Sequence, residues 1–228
     1  VMKKYVIIVA GGSGKRMGTT LPKQFLCIGE KPILMHTINR FHTFDSEISI
    51  IVVLPEEEIS TWKDLCQKHH FSINHTIVKG GKERFDSVKN GLQKIEEKSI
   101  VAIHDGVRPF VSNETLKRCF SAAEKGGNIV PVISPVESVR IKINDETKAD
   151  DRTKYLLVQT PQIFSSEKLF KAYNQPYNSN FTDDASVVES IGEKISIVEG
   201  NRENIKITTP FDLIVGEALV CQESLLSL

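Results

Sequence analysis

A stretch near the start of the chain, residues 10–23, combines glycines with cations in a way that suits a bound polyphosphate. Glycines occupy positions 11, 12, 14 and 18, and three cations accompany them, namely Lys15, Arg16 and Lys23. Glycine lets a ligand approach the main chain without meeting a Cβ, and successive free amides form a concave site for anions. We therefore expect this loop to bind phosphate groups. The alternative is an ordinary tight turn between a strand and a helix.

Two familiar phosphate-binding motifs do not fit this loop. The P-loop requires Gly, four residues, and then Gly-Lys-Ser/Thr, but Val9 and Arg16 stand at two of the required positions. The dinucleotide fingerprint Gly-x-Gly-x-x-Gly fails because Met17 occupies the place of its third glycine. The loop therefore does not indicate a P-loop enzyme or a clear NAD site.

Further polar residues follow other predicted strands. Gly80 and Gly81 open the run Gly-Gly-Lys-Glu-Arg, and Asp105 comes directly after another apolar run. Ligands of parallel α/β sheets bind beyond the carboxyl ends of the strands, so we expect these residues near the glycine loop. A desolvated carboxylate at Asp105 needs a cation, a metal or a ligand hydroxyl, and Arg108 is the candidate for a simple ion pair.

Several residues have both a structural and a functional interpretation. Ser87, in the first turn of a predicted helix, either hydrogen-bonds a ligand or caps backbone amides. Thr182 precedes another predicted helix and is expected to cap it, although the free amides there also suit an anion. Lys206 points either at the site or at solvent. His104 is expected to pack or hydrogen-bond rather than act as a general base.

Apolar runs and helical periodicity alternate along most of the chain. Strands are expected at residues 6–10, 48–54, 73–78, 100–103, 129–133 and 195–198. Helices are expected from residue 32, at 56–69, 83–95, 113–124, 166–173 and 183–190, and from residue 210. This order is typical of a parallel sheet covered on both faces. We predict one domain, residues 1–228, with a doubly wound, mostly parallel, Rossmann-like α/β fold.

Residues 135–160 break this alternation. Val139, Ile141 and Ile143 alternate with polar residues, and a second apolar run follows at 155–158 after a long polar stretch. Two such runs around a polar tip predict a protruding β-hairpin arm. Because a hairpin has little core of its own, we expect the arm to lie on a partner subunit. A surface hairpin without a partner is the alternative.

Composition limits the functional classes. The 228 residues include 40% hydrophobic side chains and 29 basic against 29 acidic ones, so the formal net charge is zero. A general binder of nucleic acid or of membrane surfaces would show a basic excess, so neither partner is expected. The four cysteines contain no Cys-x-x-Cys pair, which disfavours a zinc or redox site. Without a signal peptide or a transmembrane run, we expect a cytoplasmic protein.

Seven short motifs occur in order along nearly the whole chain. They are Ala10-Gly-Gly-Ser-Gly-Lys-Arg-Met, Pro22-Lys-Gln, Gly81-Lys-Glu-Arg-Phe-Asp-Ser, His104-Asp-Gly-Val-Arg-Pro, Thr160-Pro-Gln, Thr182-Asp-Asp-Ala-Ser and Asn204-Ile-Lys. This ordered set resembles the 2-C-methyl-D-erythritol 4-phosphate cytidylyltransferase family of the non-mevalonate isoprenoid pathway. The resemblance implies an enzyme that joins CTP and the polyol phosphate into a CDP-alcohol and pyrophosphate, with Mg²⁺. It also implies a homodimer whose arms reach into the neighbouring site.

The resemblance further implies a role for each matching residue. Two cations would stabilise charge on the CTP phosphates in the transition state, Arg16 and Lys23. Two others would position the substrate phosphate, Arg152 and Lys206, with a further candidate on the arm, Ser138. Three would line the pocket, Asp105, Arg108 and Thr182. The residues expected to hold the nucleotide are Ala10, Gly11, Gly12, Gly14, Gly81 and Ser87. The metal ligands stay open.

Two departures from the family pattern keep other functions in view. Gly106-Val107 stands where the family commonly has Ala-Ala, and a valine there resembles the ribitol 5-phosphate cytidylyltransferases. The run 137–140, Glu-Ser-Val-Arg, replaces Asp-Thr-x-Lys. The motif at 182–186 favours methylerythritol phosphate. A non-catalytic nucleotide-binding regulator is disfavoured, because mere binding does not need both Arg16 and Lys23.

Overall fold

A computed structural model describes residues 2–11 and 21–226 of the chain. Its strands are β1 (Lys3–Val9), β2 (Cys27–Ile28), β3 (Lys31–Pro32), β4 (Ser49–Leu54), β5 (Thr76–Lys79), β6 (Ser99–Asp105), β7 (Ile129–Ile133), β8 (Val139–Ile143), β9 (Glu146–Asp150), β10 (Leu157–Val158), β11 (Gln162–Ser165) and β12 (Ser196–Glu199). Its α-helices are α1 (Ile33–Phe44), α2 (Ile59–Lys68), α3 (Arg84–Leu92), α4 (Asn113–Glu124), α5 (Ser166–Tyr173), α6 (Asp184–Glu189) and α7 (Pro210–Leu226). Short 3-10 helices span Lys23–Phe25, Glu56–Glu58 and Arg152–Lys154.

The central sheet is mixed but mostly parallel. Its strand order is β10-β7-β11-β6-β1-β4-β5, with β12 also paired to β7. Val132 of β7 pairs with both Val158 of β10 and Glu199 of β12, so β10 and β12 lie on opposite edges of β7. Ile163 of β11 pairs with Ile129 of β7 on the same edge as β10. Among the described strands of the central sheet, only β10 and β11 run opposite to the other strands.

The predicted α/β fold is confirmed, and each face of the sheet has its own core. Alternate residues of β1 point to opposite faces, with Val6 and Ile8 in one buried cluster and Tyr5 and Ile7 in the other. Helices α1, α2 and α4 cover the first face, and α3, α5 and α6 cover the second. Such burial on both sides explains why the strands read as continuous apolar runs.

Local sequence explains where the helices begin and end. The hydroxyl of Ser112 accepts the amide hydrogen of Thr115 and caps α4. Glu83 and Asp86 form a reciprocal capping box at the start of α3. Beyond α4, Gly126 adopts a φ of 90°, which favours glycine and reverses the chain toward β7.

The predicted hairpin is present, but its second strand was assigned wrongly. β8 pairs with β9, from Val139 opposite Asp150 to Ile143 opposite Glu146, and this ribbon is separate from the central sheet. The apolar run expected to form the second strand instead contributes β10, which pairs with β7. Strand β9 is exposed along nearly its whole length, so no apolar alternation marks it in the sequence.

A third buried cluster connects the segments that lead into the site. Ile28, Ile33, Val107, Phe110 and Ile207 pack together, and α7 lies against them. This cluster joins the start of α1, the loop after β6 and the segment that precedes α7. None of the helices in the described ranges is long and apolar enough to cross a bilayer.

Candidate functional site

A cavity of about 210 Å³ lies at the carboxyl ends of β1, β5 and β6. The described residues that line it are Val9, Ala10, Gly11, Lys23, Gln24, Pro55, Gly80, Gly81, Lys82, Glu83, Arg84, Ser87, Asp105, Val107 and Lys206. Seven of the residues predicted from the sequence are among them, Ala10, Gly11, Lys23, Gly81, Ser87, Asp105 and Lys206. Three others, Gly12, Gly14 and Arg16, lie outside the described residues.

The exit of β1 is tied to both neighbouring strands. The amide of Ala10 donates to the carbonyl oxygen of Val53 at 2.9 Å, and the amide of Gly106 donates to that of Val9 at 2.9 Å. A Cβ on Gly106 would lie 2.8 Å from the Cβ of Ala10. Glycine at 106 therefore allows the close approach of the two loops.

The Gly80-Gly81 loop is held by Ser87. The amide of Gly81 donates to Ser87 Oγ at 3.1 Å, and this hydroxyl donates to the carbonyl oxygen of Glu83 at 3.1 Å. A Cβ on Gly81 would lie only 2.2 Å from the Cβ of Asp86, so this position needs glycine. Ser87 thus binds a backbone amide outside its own helix, while its role toward a nucleotide stays a prediction.

Asp105 is surrounded by three cations. Its Oδ2 lies 3.0 Å from Lys206 Nζ and 3.1 Å from Arg108 Nε, and its Oδ1 lies 3.7 Å from Arg84 Nε. The simple ion pair with Arg108 is therefore present, and Lys206 points at the site rather than at solvent alone. Burial alone would raise the pKa of Asp105, but Arg84, Lys206 and Arg108 together hold it well below its usual range. The carboxylate is ionised at neutral pH.

The segment before α7 is fixed so that Lys206 meets Asp105. Arg108 Nη1 donates to the carbonyl oxygen of the buried Asn204 at 2.8 Å. Two residues further on, the amide of Ile207 donates to the carbonyl oxygen of Val107 at 2.9 Å. Lys206 lies between these two anchors, which explains why a lone lysine in a short extended segment reaches the cavity.

Arg84 joins the cavity to α6. It donates two hydrogen bonds, of 2.8 and 2.7 Å, to the two carboxylate oxygens of Asp184, whose side chain is fully buried. Tyr173 Oη donates a third hydrogen bond to Asp184 at 2.7 Å. Burial lowers the pKa of Arg84, but Asp184, Asp105 and Tyr173 together raise it above its usual range, so the guanidinium stays charged.

His104 is a buried, neutral, hydrogen-bonding residue, as expected. Its Nε2 lies 2.9 Å from the carbonyl oxygen of Arg108, which can only accept, so Nε2 carries the hydrogen. Its Nδ1 then accepts from Thr160 Oγ1 at 3.0 Å, and Thr160 Oγ1 in turn accepts from the amide of Asp105 at 3.1 Å. Burial lowers the pKa of His104 to about 4. His104 is absent from the described lining of the cavity.

Thr182 lies beside the main cavity rather than in it. It lines a smaller pocket of about 80 Å³, which shares Glu83 and Arg84 with the main cavity. The prediction that Thr182 caps the following helix is wrong. Asp183 is the N-cap, because its side chain accepts the amide hydrogen of Ser186 at 2.9 Å.

The arm residues are not brought to the cavity of their own chain. Ser138 and Arg152 are both exposed, and no residue of 135–160 is among the described residues that line the cavity. Arg152 Nη1 donates to the carbonyl oxygen of Val136. Ser138 and Arg152 therefore cannot position a substrate phosphate in the cavity of their own chain as it stands in this structure. Their predicted role requires another site.

Sequence reasoning missed the structural partners of the site. Arg84 was part of a recognised motif but received no role, because Asp184 follows it 100 residues later in the chain. Gln24 also went unassigned, although it stands beside Lys23. Among the described residues, no group of three or more His, Cys, Asp or Glu side chains gathers as metal ligands would.

Comparison with known proteins identifies relatives along almost the full length. The profile of the IspD family, 2-C-methyl-D-erythritol 4-phosphate cytidylyltransferase, matches residues 4–222. Proteins of that name from Bacteroides thetaiotaomicron and Bacteroides fragilis are 52% and 53% identical over 219 residues, covering 96% of this chain and all of each relative.

Solved structures agree with the sequence comparison. The 4-diphosphocytidyl-2C-methyl-D-erythritol synthase from Anaerococcus prevotii superimposes with a TM-score of 0.80 at 28% identity, covering 96% of this chain and 99% of the other. The 2-C-methyl-D-erythritol 4-phosphate cytidylyltransferase from Thermus thermophilus gives 0.77 at 27% identity, covering 97% and 100%.

Proposed function

The chain belongs to the 2-C-methyl-D-erythritol 4-phosphate cytidylyltransferase family, and we propose that its charged cavity is where CTP and 2-C-methyl-D-erythritol 4-phosphate are joined. The reaction forms a bond between a phosphate oxygen of the polyol phosphate and the α-phosphorus of CTP. The bond from that phosphorus to the β-phosphate bridging oxygen breaks, and pyrophosphate leaves.

The observation that carries this proposal is the convergence of cations and glycines on one cavity. Lys23, Lys82, Arg84 and Lys206 line it together with Ala10, Gly11, Gly80 and Gly81. Two polyanions must meet for the reaction, and fixed positive groups offset their repulsion. The attacking phosphate oxygen is already anionic, so the site needs no strong general base. The neutral, buried state of His104 is consistent with that requirement.

The cations of the site have different proposed roles according to their positions in the chain. Lys23 lies in the short helix that follows the first loop, and we assign it, with Arg16, to stabilise charge on the α-phosphate in the transition state. Lys206, held beside Asp105, would bind the phosphate of the acceptor. Ala10, Gly11 and the Gly80-Gly81 loop would seat the nucleotide.

We expect Mg²⁺ to take part as a companion of the phosphates rather than in a site made by the protein alone. The scarcity of clustered ligands within residues 2–11 and 21–226 fits an ion that keeps most of its ligands from phosphate and water. Asp105, an ionised carboxylate at the cavity wall, would hold it from the protein side. When bound, Mg²⁺ would offset negative charge on the triphosphate.

We assign Arg152 and Ser138 to the cavity of a second copy of the chain. The ribbon formed by β8 and β9 stands apart from the central sheet, and exposed apolar side chains occur along 135–160, at Val136, Ile141, Ile143, Leu156, Leu157 and Val158. A homodimer in which each arm covers its neighbour would bury these side chains. It would also bring Arg152 to the acceptor phosphate.

Pyrophosphate release from CTP, measured separately with 2-C-methyl-D-erythritol 4-phosphate and with ribitol 5-phosphate, tests the proposal. We expect rapid release with the methylerythritol compound and little with the ribitol compound. The reverse preference would assign the chain to the ribitol reaction. No release with either would indicate a nucleotide-binding regulator.

A further inference from the structure

The side chain of Gln24 is buried without a hydrogen-bond partner. The residue is only 1% exposed, and neither Nε2 nor Oε1 of its amide contacts a donor or acceptor in the described protein. Gln24 also lines the cavity, directly after Lys23. A buried polar group in this condition destabilises the folded protein, and it calls for a functional explanation.

The main chain around Gln24 is anchored by its neighbour. The adjacent Phe25 is fully buried and stacks on Trp62 with the ring centroids 5.9 Å apart. Trp62 Nε1 in turn donates to His75 Nε2 at 2.9 Å. Gln24 is therefore held in place by the packing of its neighbour. An apolar side chain of similar size would fill the same volume without leaving two polar atoms unpaired.

The chemistry of the amide indicates what would pair with it. Nε2 offers a donor and Oε1 an acceptor. A phosphate supplies acceptors only, and a metal ion would engage Oε1 only. A hydroxyl group both accepts and donates, so it can take one hydrogen of Nε2 and give its own hydrogen to Oε1. Given the proposed function, the groups on the two sides of the reacting α-phosphate are the ribose of CTP and the polyol of the acceptor, and both carry hydroxyls.

We propose that Gln24 binds a hydroxyl group of the substrate, donating from Nε2 and accepting at Oε1. The inference rests on the proposed function, because it takes the substrates from it. It adds a specificity-determining residue, since a substrate without that hydroxyl would leave the amide unpaired. The folded state tolerates the unpaired amide until the substrate arrives.

Replacing Gln24 with methionine tests this pairing, because methionine keeps the approximate length and removes both polar atoms. We expect Gln24→Met to lower kcat/KM by about 10- to 100-fold, as loss of a buried hydrogen bond does. In the absence of substrate the same change removes an unpaired buried amide, so Tm should rise by about 2–4 °C. Gln24→Leu provides a second variant if the methionine variant does not fold.

Gln162 is the matched control, because it is also fully buried but fully paired. Its Nε2 donates to Asp183 and its Oε1 accepts from the amide of Ala185. Gln162→Met should therefore lower Tm, the opposite sign from Gln24→Met. A fall in Tm for Gln24→Met with an unchanged kcat/KM would assign Gln24 to packing and overturn the proposal.

Substrates that lack one hydroxyl identify the source. If the ribose supplies it, 2′-deoxy-CTP or 3′-deoxy-CTP should be a poor substrate for the wild type and should lose nothing further with Gln24→Met. If the polyol supplies the hydroxyl, replacing CTP by either deoxynucleotide should lower kcat/KM by the same factor in the wild type and in Gln24→Met. The substitution should then raise KM for the polyol phosphate. If Gln24→Met shows neither the ribose pattern nor the polyol pattern, the proposal is contradicted. Activity of the wild type with CTP is measured first, so a failure of the proposed function is recognised separately.

Discussion

Arg84 donates two hydrogen bonds, of 2.8 and 2.7 Å, to Asp184, although 100 residues separate them in the chain. The pair joins the start of α3, at the cavity, to the start of α6, beside Thr182. Because Asp184 is fully buried, its charge depends on Arg84 for compensation. The relative position of the two helix starts is thereby fixed by a bidentate contact.

Removing this carboxylate should destabilise the protein strongly. Asp184→Ala leaves the Arg84 guanidinium and the Tyr173 hydroxyl without their acceptor. Since Arg84 keeps some contact with water, with 32% of its side chain exposed, we expect the lower end of the range for breaking a buried ion pair, about 3 kcal/mol of unfolding free energy. Urea unfolding measures it.

The exposed pair between Lys98 and Glu167 is the control, because its side chains are 64% and 62% exposed. Glu167→Ala should cost less than about 1 kcal/mol. Equal losses for Asp184→Ala and Glu167→Ala would mean that the buried pair contributes no more than a surface contact.

Lys23 should matter for turnover more than for folding. We expect Lys23→Ala to lower kcat by about two orders of magnitude or more, as loss of one charge-stabilising group typically does. Pyrophosphate release at saturating substrates measures this effect. Lys31→Ala is the control, because Lys31 is exposed and outside the described lining of the cavity. A near-normal kcat for Lys23→Ala would remove Lys23 from the mechanism.

Arg152 should act on the acceptor alone. With Arg152→Ala, KM for the polyol phosphate should rise by about tenfold or more, because a charge-assisted contact is lost, while the affinity for CTP stays nearly unchanged. Arg140→Ala is the control on the same arm, since Arg140 is also exposed and donates to Thr147 within the hairpin. An equal loss of CTP affinity with Arg152→Ala would contradict the assignment.

His104 should make the stability of the protein depend on pH. Its pKa is about 4 in the folded state and about 6.5 when unfolded, so acid protonates the unfolded chain first. Stability is therefore full above pH 6.5 and declines as the pH falls toward 4. Between pH 7 and 5 we expect a loss of about 2 kcal/mol from this residue. Urea unfolding at the two values measures it.

The variant His104→Gln separates this effect from other titrations. Glutamine does not titrate, so the unfolding free energy of the variant should change by about 2 kcal/mol less between pH 7 and 5. If the wild type and His104→Gln show the same slope, the buried imidazole is not the source.

Residues whose signal is local were predictable from the sequence. The bounds predicted for α4, α5 and β7 agree with the structure, because apolar spacing, capping residues and Gly126-Gly127 mark them directly. The grouping of Gly11, Gly81 and Asp105 followed from one rule, that ligands gather at the carboxyl ends of parallel strands. The element bounds need only neighbours in the chain, whereas the grouping needs the parallel sheet as well.

Features that depend on distant partners were not predictable. Strand β9 has polar residues on both faces, and only its pairing with β8 makes it a strand. Strand β11 is four residues long and joins the sheet antiparallel. A segment this short has too few residues for its hydrophobic periodicity to predict a strand or its direction. The partner of Arg84 is set by how α6 packs against α3. Long-range packing decides these points.

Because cations already surround Asp105, an anion that binds one of them must replace a contact with this carboxylate. In the absence of substrate, Lys206 already shares Asp105 with Arg108 and Arg84, so on the proposed role of Lys206 an incoming phosphate competes with a resident carboxylate. Weak monoanions such as chloride gain little from the replacement, whereas a phosphate dianion gains more. On the proposed role of Lys206, the internal carboxylate would favour a phosphate dianion over small monoanions.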